Sequence, residues 1–131
     1  MSNPRYNPQG FYHKERNLTH VVGRWSITAA GGAGSVNVVT GHGFTVTHAG
    51  AGDYLITFTD AFSELLCAQA HVAAISGAAV DMYGQIGTFT PGGTGAATLQ
   101  VRTETGAADT NPAATDSVIF SATLYGEPLD A

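Results

Sequence analysis

Five histidines, one cysteine and ten carboxylates are the groups in this 131-residue chain whose types suit metal binding or proton transfer, and their spacing decides whether they do so. His13 and His20 stand near the N-terminus, His42 and His48 flank the run "GFTVT", and His71 sits in a later apolar segment. No pair forms H-x-x-x-H on a predicted helix, and no carboxylate stands at a recognised ligand spacing from them. His42 and His48 are six residues apart, so on one extended strand they would share a face yet lie about 20 Å from each other. One ion cannot reach both. The histidines therefore read as loop, turn or strand-surface residues, and neither a metal nor another cofactor is expected.

Nucleophilic chemistry fares no better. Ser76 in "ISGAA" has no sequence-local base and no G-x-S-x-G elbow between strand and helix. Cys67, the single cysteine, excludes an intrachain disulfide framework and any multi-thiolate zinc site. Beside Leu65, Leu66 and Ala68 it reads as a small core residue. The glycine clusters "GGAG", "GHG", "AGAG" and "PGGTG" lack the G-x-x-x-x-G-K-[ST] pattern and a following helix, so they read as turns. Asp109, Asn111 and Asp116 offer oxygens in one loop without the dense acidic spacing of a calcium site, and a turn of Asn-Pro geometry fits them better. The expectation is a protein without catalysis.

Charge is distributed unevenly. In the first 24 residues Arg5, Lys14, Arg16 and Arg24 stand against Glu15, a net +3, whereas the remainder carries Arg102 against nine carboxylates, a net −8. The acidic body argues against nucleic-acid binding, because nothing in it neutralises phosphates. The basic segment also holds Tyr6, Phe11 and Tyr12, interleaved with the cations. Pro4, Pro8 and Gly10 forbid a long helix there, and Asn3 and Asn7, each preceding a proline, are driven toward extended backbone. Aromatics are scarce in tails that touch nothing and enriched at interfaces. Residues 1–18 are therefore read as an extended arm that binds a protein partner through Arg5, Tyr6, Phe11, Tyr12, Lys14 and Arg16, with Arg24 where the arm meets the body.

The body, residues 19–131, is read as one domain. Its apolar runs are short and interrupted, as in "LLCAQAHVAAI", far from the roughly 20 residues a membrane helix requires. Short β-prone segments alternate with Gly, Asn, Asp and Pro: 19–28, 36–40, 44–48, 54–60, 67–75, 80–89, 97–104 and 117–125. The period of two is plainest in "YLITFTD", which sets Tyr54, Ile56 and Phe58 on one face. With the Ala-Gly-Ala-Gly turn before it, 44–60 is a predicted hairpin. "AFSELL" (61–66) reads as one helical turn or a crossing loop. Seven to eight strands at this spacing predict an all-β fold, an antiparallel β-sandwich resembling a jelly roll. Many expected inward positions are Ala or Val, and so lean a core fits a domain stabilised by subunit contacts.

The segments "HVVGRWSITAAGGAGSV", "GFTVTHAGAGDYLITFTDAFSELLCAQAHV" and "TLQVRTETGAADTNPAATDSVIFSATLY" resemble the small decoration (cement) and related head proteins of tailed bacteriophages. The resemblance runs from about Val21 to Leu124. It implies a non-enzymatic sandwich, a homotrimer that binds the major capsid protein and reinforces the head shell, located on the virion after synthesis in the host cytoplasm. The N-terminal sequence, without an apolar leader-like run, agrees with synthesis there. Hairpins of the "GFTVT" to "GAGDYLITF" type also occur in tail-fibre tips, so a receptor- or glycan-binding tip is the alternative. Such tips usually follow a shaft, and here only the short arm precedes the sandwich, which favours decoration.

Overall fold

The computed structural model describes residues 18–73, 82–106 and 108–126. Six of the seven partner-binding residues read from the sequence, Arg5, Tyr6, Phe11, Tyr12, Lys14 and Arg16, lie outside them, as does Ser76.

Nine strands make up the described chain: β1 (Leu18–Thr28), β2 (Ser35–Gly41), β3 (Phe44–Gly50), β4 (Asp53–Phe58), β5 (Glu64–Ala73), β6 (Tyr83–Thr90), β7 (Thr98–Thr105), β8 (Ala108–Asp109) and β9 (Ser117–Tyr125). They form two antiparallel sheets. One runs β2-β1-β9-β5; the other runs β3-β4-β7-β6, with the two-residue β8 paired to β7. The expected β-sandwich is present, and its first two strands, β3 and β4, and β6 and β7 are joined as local hairpins. The C-terminal strand β9 is inserted between β1 and β5 and pairs with both along its whole length.

Alternation explains why these residues extend. On β1 Val21, Trp25 and Ile27 are buried while Thr19, Val22 and Arg24 are exposed; on β4 Tyr54, Ile56 and Phe58 turn inward. The inner faces meet in one core. Trp25 from the four-stranded sheet packs on Tyr54 of the other, ring centroids 5.4 Å apart, and Phe44 meets Phe120 edge-on at 4.9 Å. Offset and edge-to-face aromatic pairs of this kind add about 0.5–1.5 kcal/mol beyond the burial of their area. Gly23, between Val21 and Trp25 on the inward face of β1, leaves the room that the Phe44–Phe120 pair fills.

One expectation is corrected. Cys67 is exposed, because it shares the outward face of β5 with Gln69 and His71 while Ala70 turns to the core. Of its apolar sequence neighbours, Leu65 and Ala68 pack against the core, while Leu66 is exposed as well. Of the two forms expected for 61–66, the crossing loop is present and is shorter than the segment. Ala61 to Ser63 cross between the sheets, with Phe62 buried edge-on to Phe58, and β5 begins at Glu64.

Candidate interaction face

The sheet β2-β1-β9-β5 turns one side to the core and the other to solvent. Cross-strand register lines up the outward residues in rows: His20, Thr123 and Cys67; then Val22, Ser121 and Gln69; then Arg24, Ile119 and His71. Arg24, the one partner-binding residue of the sequence reading that the structure describes, stands in the third row and is exposed. Val22 and Ile119 lie on adjacent rows, 53% and 38% exposed, so two aliphatic side chains stand together on the open side of the sheet. Between them a shallow depression of about 100 Å³ is lined by Val22, Gln69, His71, Ile119, Phe120 and Ser121.

What such a face can do follows from its size and polarity. Small-molecule pockets are concave and occupy roughly 300–1,000 Å³. A shallow apolar centre ringed by Arg24, His71, Gln69 and the His20–Thr123 pair, whose side chains lie 3.0 Å apart, suits another protein's surface better. Glu64, at one end beside Tyr125, is the carboxylate of this face among the described residues. The opposite sheet presents Asp53, Glu104 and Asp109 around Arg102, with Gln100 donating from Nε2 to Asp53 Oδ1 at 2.9 Å. Among the described residues the four-stranded face therefore balances Arg24 against Glu64, whereas the other sets three carboxylates against Arg102.

The remaining chemistry-bearing residues are absorbed by the architecture. Asn111 Oδ1 accepts from the Gly52 backbone N–H at 2.8 Å and lies 3.0 Å from His48 Nε2, tying the 110–116 loop to the β3–β4 turn. Asp116, buried, accepts from the Ala113 N–H at 3.2 Å and closes the Asn-Pro turn. His48 also stacks on Tyr54, centroids 5.0 Å apart. His42 lies in the β2–β3 turn, and His71 on the outer face. Among the described residues no three His, Cys, Asp or Glu side chains gather as a metal would require.

Sequence reasoning placed Arg24 in the interaction set but missed Val22, Ile119 and His71. Their signal was the alternation itself, aliphatic residues in the outward register of strands whose inward register is already filled. Comparison with family models, with curated proteins and with solved structures finds no match to this chain.

Proposed function

We propose that this chain is a non-enzymatic structural protein of a tailed-phage virion, a decoration protein that binds the major capsid protein as a homotrimer and stabilises the head shell. The observation that carries this reading is the exposed outer face of the four-stranded sheet, where Arg24 and Val22 of β1 align with Ile119 and His71. β1 is also the strand that the basic, aromatic segment leads into, so arm and face act as one binding surface. Arg5, Lys14, Arg16 and Arg24 supply charge-assisted hydrogen bonds to capsid carboxylates, while Tyr6, Phe11 and Tyr12 fill apolar pockets.

The test is binding to purified heads that lack the protein, followed by co-sedimentation. Deleting residues 2–16 leaves the circular dichroism of the domain unchanged and weakens head binding by at least about a hundredfold, because several anchors worth roughly 1–2 kcal/mol each are removed. Unchanged saturation of heads by the truncated protein overturns the reading. Label confined to one vertex or to the tail of intact virions, instead of the shell, replaces it with the tail-tip alternative.

A further inference from the structure

From Trp25 to Gly52 the chain contains no Asp, Glu, Lys or Arg, although it carries a net charge of −5. That stretch supplies two edge strands. Among the described residues β2 bounds one sheet, hydrogen-bonded only to β1, and β3 bounds the other, hydrogen-bonded only to β4. The Gly41–Gly43 turn joins them directly, so both edges lie on one flank of the sandwich.

Edge strands offer unpaired N–H and C=O groups to any other chain. Monomeric proteins blunt such edges with charged side chains, especially lysine, or with proline. β2, "SVNVVTG", and β3, "FTVTHAG", have neither. β2 also exposes Val38 by 56% and Val39 by 38%. On the opposite flank β6, "YGQIGTFT", is uncharged as well, but β5 carries Glu64 and the two strands press together. There the backbone of β6 comes so close to β5 that a Cβ on Gly84 would lie 2.7 Å from the Ala70 carbonyl oxygen.

We infer that the uncharged β2/β3 flank is where a second copy of this chain docks, edge strand against edge strand. Two copies of one acidic protein repel wherever their carboxylates approach, and this flank is the surface on which they meet without that cost. Val38 and Val39 supply apolar area at the contact, and the free backbone groups of β2 supply hydrogen bonds. This deepens the homotrimer part of the reading above and is independent of the virion, since it concerns the purified protein alone.

Sedimentation velocity and native mass spectrometry of the intact purified chain test it. The wild type is expected as an oligomer at about 10 μM, and Val38→Lys is expected as a monomer with unaltered circular dichroism. Thr47→Lys on β3 acts in the same direction, and Gln85→Lys on β6 leaves the oligomer intact. An oligomer that survives both Val38→Lys and Thr47→Lys overturns the inference. So does a wild-type monomer, including one that associates only after deletion of residues 2–16, which would mean that the chain's own arm covers the flank. Head binding, measured separately, bears on the virion reading: a wild-type oligomer dissociated by Val38→Lys that does not bind heads upholds the flank and rejects the capsid.

Discussion

Tyr54 links several parts of the structure. Its ring packs on Trp25 and His48, and its hydroxyl donates to the Gly34 carbonyl at 2.7 Å. Burial pushes the phenol above its ordinary value, so the folded protein holds it neutral. In the unfolded chain the phenol ionises near pH 10. The contribution of this group to stability is therefore whole below about pH 10 and is lost as pH rises further, by up to about 1.4 kcal/mol per pH unit. Tyr54→Phe keeps the ring contacts and removes the hydroxyl. It is expected to cost about 1 kcal/mol at neutral pH and to flatten the alkaline decline, both measurable by urea unfolding at pH 7 and at pH 11.

At the scale of the element, β1 shows how closely the inner faces fit. A Cβ on Gly23 would come within 2.7 Å of Phe120 Cε1 and nearer still to the ring of Phe44. Gly23→Ala is expected to destabilise by about 1–3 kcal/mol through overpacking, and Phe44→Leu in the same chain to recover part of that loss. A denaturation midpoint that falls with unchanged slope is the expected signature. Strands were legible in the sequence wherever inward apolar residues alternate with outward polar ones. β9 covers Ser117–Tyr125, the segment that alternation marks, and the 44–60 hairpin is β3 and β4. β8 was not legible, because two residues of "TGAADT" carry no period. Strand order was hidden too, since the pairing of β9 with β1 and β5 is long-range and leaves no local trace. Of the interaction face, Arg24 was legible as a cation in the basic segment. Val22 and Ile119 were legible only through the alternation, as aliphatic residues in the outward register, and alone neither differs from a core residue.

For the whole molecule, one core shared by two sheets implies one cooperative unit. Trp25, the chain's only tryptophan, is fully buried between them. Its fluorescence reports the meeting of the sheets, whereas far-ultraviolet circular dichroism reports the strands themselves. The two signals are expected to lose their native values at the same urea concentration; separated midpoints would mean that one sheet persists without the other. The close contact of Gly84 with Ala70 also has a bearing on assembly. It holds the β5 and β6 edges of the two sheets against each other on the flank opposite β2 and β3. If the β2/β3 flank is where a second copy docks, as inferred above, two such flanks meeting face to face use each other up, and growth stops at a small closed assembly instead of running on into a fibre.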